Sequence, residues 1–314
     1  MNFSLKQKLE KTGLRRKSLL FAVSRAILYF VLFDLAVVFL YPFFYMMITS
    51  VKSPADINDA SVTWIINKFY FYNYSIAAKH LHYFSSLFRT VIYCVLSTAG
   101  HVFICSFVGY GFARYRFKGK RLFFLMLVFS MVIPIQTILI PQYLLYAKLG
   151  TPGGFVPLVL PTFFGYGLRG ALFIFLFRQF YLSLPRSLEE AAAVDGCTPV
   201  MTFFRIAFPA SSSSVVVTVV LSVVWHWNDF YEPGIYLTDS SEMLLPMLLP
   251  KVYTAMQQAQ NSAEALISGV NADIFTSGVA MAATFLAVLP ILIFYFFFQK
   301  RFRQGIESSG ITGE

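Results

Sequence analysis

Six apolar stretches, each about 20 residues or longer, constrain the fold more than any other feature of the sequence. As helices, stretches of this length cross a hydrocarbon layer about 30 Å thick. Only 13% of the 314 residues are charged, which is too few to cover a soluble globule of this size. The sequence therefore predicts an all-α integral membrane protein. Its expected spans are residues 26–48, 87–113, 122–146, 155–180, 210–231 and 277–299.

The distribution of basic residues predicts how the spans are oriented. A formal net charge of +10 would also suit a nucleic-acid-binding protein. However, 18 of the 25 lysines and arginines fall in alternate connections, at residues 1–25, 114–121, 178–205 and 300–314. This is the positive-inside pattern, which places both termini in the cytoplasm and leaves nucleic-acid binding a remote alternative.

The chain is expected to consist of one membrane domain, residues 26–299, between a basic N-terminal segment, residues 1–25, and a C-terminal tail, residues 300–314. The basic segment could lie on anionic lipid as an interfacial helix or form a disordered tail. The outer connections are too short for a solute-binding domain of ordinary size, so an external solute would have to be captured by another protein. These connections are residues 51–86, 147–154 and 232–276.

Two predicted spans contain residues that break helices. Breaks at membrane depth persist where the freed backbone is buried in protein or lines a polar cavity, and in transporters they often mark the pathway. Proline and glycine are also more frequent in membrane helices in general, so both interpretations stay open. The residues are Pro134 and Pro141 in the third span and Pro157, Pro161, Gly165, Gly167 and Gly170 in the fourth.

Two charged residues, Arg169 and Asp34, lie away from the ends of predicted spans. Arg169 would be paired or hydrated if it lies near the centre of the fourth span, and would reach the outer interface if that helix begins late. Asp34 in the first span could relay protons. A single carboxylate without a facing basic chain is better explained as a hydrogen-bonded packing residue or as one that lines a cavity.

The stretch "VVWHWNDFYEP", residues 223–233, ends the fifth span with aromatic and polar side chains. An aromatic belt at the outer interface explains this composition. A sugar contact explains it as well, because rings stack on sugar faces while amides and carboxylates bind hydroxyls. Trp227, Asn228 and Asp229, together with Arg169, are therefore candidate substrate-pathway residues. His226 has no second histidine or cysteine at ligand spacing, so no metal site is predicted.

The sequence contains no phosphate-binding loop, no nucleophile elbow and no zinc-protease motif. We therefore assign no catalytic residue and no bound cofactor to this chain.

A polar segment between the fourth and fifth spans, residues 185–209, predicts a helical hairpin. Ser187 and Glu190 have the spacing of a capping box, which predicts a helix that begins at the residue after the serine. Gly196 stands where a left-handed glycine would end that helix. Thr198, followed by a proline, then caps a second short helix.

The first helix of this hairpin is too short to be stable alone in water, so it must pack against something. Its three alanines offer a smooth surface suited to a groove in another protein. A hairpin that rests on the bilayer is the alternative, but two glutamates and an aspartate suit anionic lipid poorly. We therefore expect the hairpin to dock to a partner protein.

The same segment carries a longer pattern: "EAAAVDG" at Glu190 to Gly196, nine further residues, and then Ile206, Phe208 and Pro209. It resembles the EAA loop of permease subunits of binding-protein-dependent ABC importers, with phenylalanine in place of the usual leucine. Other stretches resemble the carbohydrate branch of that family, on its maltose-type second permease subunit. They are "GYGFARYRFKGKR", "IPIQTILIPQYLLYAKLG", "FRQFYLSLPRSLEEAAAVDG", "WNDFYEP" and "QKRFRQGI".

The resemblance implies the fold of a type I ABC importer permease in the cell membrane. It further implies a homologous permease partner in a heterodimer, two cytoplasmic ATPase subunits that bind ATP and Mg²⁺, and an external solute-binding protein that delivers a sugar. An ion-coupled secondary transporter and an importer of a non-sugar solute are the alternatives. By their place in the motif, the residues that couple to the ATPase would be Glu190, Ala191, Ala192, Asp195, Gly196, Ile206 and Pro209.

Overall fold

The computed structural model describes residues 3–59, 61–167, 169–239, 242–261 and 276–308. Helices account for all regular structure in this part of the chain. The α-helices are α1 (Phe3–Ser50), α2 (Pro54–Asn58), α3 (Tyr72–His80), α4 (Tyr83–Arg114), α5 (Lys120–Ser130), α6 (Ile135–Lys148), α7 (Val156–Val159), α8 (Gly170–Ser183), α9 (Ser187–Val194), α10 (Pro199–Thr202), α11 (Phe208–Ala210), α12 (Ser212–Asn228), α13 (Tyr231–Tyr236), α14 (Leu245–Asn261) and α15 (Ser277–Ser308).

Three of the described helices are long and apolar enough to cross a membrane: Val23–Ser50 within α1, Tyr83–Arg114, and Ser277–Gly305 within α15. Two bent helix pairs raise the number to five if each pair counts as one span. The pairs are Lys120–Ser130 with Ile135–Lys148, and Pro199–Ala210 with Ser212–Asn228. The shorter apolar helix Gly170–Ser183 adds to these. The predicted all-α membrane fold is confirmed.

The predicted third span is divided by a sharp bend. Helices α5 and α6 meet at 105°, and Pro134 stands at the N-cap of α6 in an extended conformation. A proline has no N–H to donate and disfavours a helical conformation at the residue before it, so the chain turns here. Pro141 lies inside α6.

The predicted fourth span is broken as well. Helix α7 continues into a 3₁₀ segment, Leu160–Phe164. Gly165, Gly167 and Arg169 then all have positive φ angles, of 72°, 103° and 64°. Helix α8 begins at the next residue. Left-handed residues cannot continue a right-handed helix, so the crossing is made in two pieces.

The first helix runs without interruption from the basic N-terminal segment into the first predicted span. An interfacial helix and a disordered tail were both considered for residues 1–25, and the backbone is helical from residue 3 onward. Between Val23 and Ser50, α1 packs mainly along α15, and its side chains from Val23 to Tyr45 are exposed in this chain. Asp34 is exposed on this helix.

The long helix α4 forms the centre of the fold and packs along α8, α12 and α14. Close approach to α8 depends on Gly109, because a Cβ atom there would lie 2.7 Å from Cβ of Phe177 and 3.0 Å from the carbonyl oxygen of Ile174. Small residues permit such close contact between membrane helices. Two buried clusters flank this contact, one around Tyr93, Leu245 and Trp227 and one around Tyr181 and Phe203.

We expect Gly109→Ala to destabilise the protein, since the added methyl group forces α4 and α8 apart, at a typical cost of about 1–3 kcal/mol. Gly111→Ala is the matched control, because a Cβ atom at Gly111 meets no atom within 4 Å. Thermal unfolding in detergent should show a lower midpoint for the first variant alone. Equal midpoints for the two variants would contradict the proposed close contact.

Residues 1–2 of the N-terminal segment, 60, 240–241 and 262–275 of the outer connections, 168 of the fourth span and 309–314 of the C-terminal tail lie outside the described residues.

Candidate functional site

The hairpin between α8 and α12 begins differently from the sequence-based prediction. Helix α9 starts at Ser187, and Arg186 is its N-cap residue, with no side-chain cap hydrogen bond. The backbone N–H groups of Glu189 and Glu190 both donate to the carbonyl oxygen of Arg186, at 3.0 Å. The predicted capping box, with its helix start at Leu188, is therefore wrong. Arg186 already has helical torsion angles, so Ser187 lies inside the first turn.

The end of α9 agrees with the prediction. Gly196 has a φ of 80°. Its N–H donates to Ala193, and the N–H of Cys197 donates to Ala192 at 2.9 Å. These two bonds form a Schellman motif, which satisfies the last carbonyl groups of the helix. The turn after α9 is thus fixed by its own hydrogen bonds.

The second half of the hairpin starts at the predicted cap. The hydroxyl of Thr198 accepts a hydrogen bond from the N–H of Met201 at 3.3 Å, and Pro199 occupies the first turn. A π-helical segment, Phe203–Ala207, follows, in which the N–H of Phe208 donates to the carbonyl oxygen of Phe203. Pro209 has no N–H for the usual bond to Arg205, which is consistent with wider helical turns at this point.

An ion pair ties α9 to the end of α4. The Nε atom of Arg114 donates to Oε1 of Glu189 at 2.6 Å, and its Nη2 atom donates to the carbonyl oxygen of Leu184, also at 2.6 Å. The two charged side chains are only 6% and 18% exposed. One guanidinium thus holds both α9 and the link that precedes it. The sequence analysis used Arg114 only in the charge distribution and missed this role.

Aromatic side chains form the floor beneath the hairpin. The Phe203 ring, which is fully buried, lies 5.3 Å from the Tyr110 ring and 6.4 Å from the Tyr181 ring. The hydroxyl of Tyr181 donates to Ser211 at 3.2 Å, at the start of α12. The hairpin therefore packs against α4 and α8, and Tyr181 joins α8 to the start of α12.

The outward side of α9 carries most of the residues predicted to couple to an ATPase. Glu190, Ala191, Asp195 and Gly196 are exposed, whereas Ala192 is buried and packs inward. In the second half of the hairpin, Ile206 is half-buried and Pro209 is exposed.

Four apolar residues on this surface were not predicted. Val194 is 88% exposed, and Leu188, Val200 and Met201 of the same hairpin are exposed as well. An apolar side chain placed so fully in solvent on a rigid hairpin is typical of a binding surface. In the sequence, the signal for an apolar residue on this surface was Val194, which stands between the alanines and the Asp-Gly turn.

The four candidate pathway residues are not in one environment. Trp227 is buried, and its Nε1 atom donates to the carbonyl oxygen of Ala287 in α15 at 3.2 Å. Asp229 is buried and accepts from the N–H of Tyr231 at 3.0 Å. Asn228 and Arg169 are exposed. Arg169 lies over the ring of Trp225 instead, with 5.4 Å between its Cζ atom and the ring centroid.

His226 is bound within its own helix, where Nδ1 lies 2.7 Å from the carbonyl oxygen of Ser222. Among the described residues, no three histidine, cysteine, aspartate or glutamate side chains are grouped as metal ligands would be.

Residues 102–308, which include the whole hairpin, match the family model described as the binding-protein-dependent transport system inner membrane component. The chain belongs to this family. Members are integral membrane permeases of ABC importers, which act with ATPase subunits and a solute-binding protein. The chain is accordingly a permease subunit and not itself an enzyme, because ATP hydrolysis takes place in the partner subunits. Family membership does not favour the ion-coupled alternative.

Individual relatives of this permease agree with that assignment. The arabinooligosaccharides transport system permease protein AraQ of Bacillus subtilis (strain 168) is 28% identical over 301 residues, which cover 95% of this chain and 99% of AraQ. AraQ of Halalkalibacterium halodurans is 30% identical over 229 residues, 73% of either chain. A crystal structure of a bacterial ABC transporter that imports the acidic polysaccharide alginate matches 90% of this permease and 96% of its own chain. Its TM-score of 0.71 at 22% identity shows a shared fold.

Proposed function

We propose that this permease translocates a sugar or oligosaccharide, and that the outward surface of α9 transmits the motion of the ATPase subunits to the spans. The observation that carries the coupling role is the preformed hairpin. Its exposed residues face away from the protein, while its inner residues contact α4 and α8. The relatives named for arabinooligosaccharide transport support a carbohydrate as the solute.

The coupling would work by rigid transmission. A force on Glu190, Ala191 or Asp195 passes along α9 to the buried Arg114–Glu189 ion pair and so to α4. It also passes through Phe203 to Tyr110 and Tyr181, on α4 and α8. Because these contacts are buried and tightly packed, the hairpin and the spans should move as one body. Ala192 would serve as an inner packing residue of the hairpin.

The assembly we propose has four kinds of subunit. This permease pairs with a homologous but different permease, and the pair sits on two ATPase subunits that bind ATP and Mg²⁺. An external solute-binding protein delivers the sugar. Both termini lie in the cytoplasm, as the positions of the basic residues indicate. The hairpin then lies on the cytoplasmic side, where an ATPase can reach it.

For the substrate pathway, the exposed residues Arg169 and Asn228 are the ones that can contact a sugar directly. Trp227 and Asp229 would support the pathway from behind, since both are buried. An importer of a non-sugar solute would share the same coupling surface and differ in these contacts.

Reconstitution in vesicles tests this function. The purified complex of this permease with its partner subunits and binding protein should take up labelled arabinooligosaccharide when ATP is inside. Uptake should persist with an uncoupler and stop with a non-hydrolysable ATP analogue. Uptake by this chain alone, driven by an ion gradient, would overturn the proposal. ATP-driven uptake of an amino acid in place of any sugar would overturn the carbohydrate assignment alone.

A further inference from the structure

An exposed guanidinium lies on an aromatic ring beside the break in the fourth predicted span. Arg169 immediately precedes α8, and its Cζ atom lies 5.4 Å from the centroid of the half-buried Trp225 ring on α12. We propose that Arg169 and Trp225 form a subsite for the carboxylate group of an acidic sugar. The inference rests on the proposed function and names its substrate class more closely.

The depth of this pair argues against a surface role. Helix α8 has 14 residues between Arg169 and its far end at Ser183, a length of about 20 Å. Trp225 lies at a similar distance, about 20 Å, from the start of α12 at Ser212. Helix α8 ends and α12 begins at the hairpin. Arg169 and Trp225 therefore both lie about 20 Å from the hairpin side of a hydrocarbon layer about 30 Å thick. A cation at that depth needs an anion or a water-filled cavity.

No anion in the described part of this chain meets that need. The ion pair between Arg114 and Glu189 does not involve Arg169. The Arg169 side chain makes no hydrogen bond within the described residues either. The guanidinium of an arginine carries five N–H donors in a planar fork. Arg169 therefore presents a free fork of donors, which matches the two oxygens of a carboxylate.

The backbone holds this side chain in place. Arg169 has a φ of 64°, a conformation that residues other than glycine disfavour. The conformation persists because Gly167 and Gly170 flank it in a tightly packed turn. The Trp225 ring is itself fixed against Phe173, with 5.5 Å between centroids. Neither partner has to be ordered when a ligand arrives, which favours binding.

A neighbouring amide suits the rest of a sugar. Asn228 lies three residues after Trp225, on the same face of α12. Its Nδ2 atom donates to the carbonyl oxygen of Val224 at 2.7 Å, so its Oδ1 atom can accept from a sugar hydroxyl. The Arg169 guanidinium can donate to a carboxylate, and Asn228 Oδ1 beside it can accept from a hydroxyl. This combination suits a uronic acid better than a neutral sugar.

The test uses detergent-purified permease pair without the binding protein, so that the selectivity of that protein does not enter. Binding of trigalacturonate is compared with binding of its neutral counterpart, α-1,4-galactotriose, by titration calorimetry at low salt. We expect the acidic trimer to bind the unmodified pair at least about tenfold more tightly. Arg169→Gln should abolish this preference, and Arg169→Lys should retain part of it. Arg178→Gln removes the α8 guanidinium that lies over the Phe124 ring, and it should leave the preference unchanged.

Equal binding of the two trimers, or binding of neither, would overturn the subsite. So would a preference that survives Arg169→Gln. Loss of the partner permease from purified Arg169→Gln would show instead that Arg169 pairs with a carboxylate of that partner, and would overturn it too. ATP-driven uptake separates this inference from the proposed function: sugar uptake without acidic preference contradicts only the subsite, whereas absence of any sugar uptake contradicts the function itself.

Discussion

Gly196→Val is expected to leave the permease inserted in the membrane and paired with its partners, but to lower ATP-driven uptake about tenfold while ATP hydrolysis continues. The reason is the φ of 80° at Gly196, which a β-branched residue adopts only with strain. The left-handed conformation costs an ordinary residue about 1–2 kcal/mol, roughly a factor of 5–30 in population. The Schellman turn would open, and the outward surface of α9 would lose its fixed direction.

Gly196→Asn is the matched control, because asparagine tolerates left-handed angles better than other non-glycine residues. A clash cannot explain a difference between the variants, since a Cβ atom at Gly196 meets no atom within 4 Å. The measurements are uptake and phosphate release in the same vesicles. If Gly196→Val transports sugar at the rate of Gly196→Asn, the turn does not govern coupling.

Arg114→Met is expected to have an effect of similar size on uptake and a larger one on stability. It leaves the Glu189 carboxylate and the Leu184 carbonyl group without their donor. Removal of one partner from a buried ion pair costs about 3–5 kcal/mol, and somewhat less here because Glu189 is 18% exposed. Helix α9 should then detach from α4. Hydrogen exchange at residues 187–194, thermal unfolding and ATP-driven uptake would all report this change.

Arg116→Met serves as the matched control two residues further along, since the Arg116 side chain is exposed. The charge-reversed pair, Arg114→Glu with Glu189→Arg, should recover part of the lost stability, which a double-mutant cycle would measure. Identical behaviour of Arg114→Met and Arg116→Met would show that the ion pair does not hold the hairpin.

Local signals in the sequence predicted the parts of the hairpin that depend on local physics. The left-handed turn at Gly196 and the cap at Thr198 both follow from the conformational preferences of single residues, and the structure has both. The capping box at Ser187 failed, because the backbone before it was already helical at Arg186. Such a shift by one residue depends on how the preceding segment is packed, which spacing alone does not reveal.

Contacts between distant segments were beyond the sequence analysis. Arg114 and Glu189 are 75 positions apart, and nothing in either local stretch indicates the other. The aromatic stretch before Asp229 posed a related problem, since the orientation of each ring depends on the phase of α12. The structure turns Trp227 inward to Ala287 and leaves Trp225 facing Arg169. The break in the fourth span was visible from its prolines and glycines, but the left-handed arginine within it was not.

The pairing of α1 with α15 has a consequence for biosynthesis. Helix α1 is made well before its main neighbour α15, which begins at Ser277. At translation rates of about 5–20 residues per second, α1 waits on the order of tens of seconds for α15. During that interval it must remain in lipid without α15. Apolar side chains on every face of its membrane segment allow this. Helix α1 therefore anchors the chain in the membrane before it packs against α15.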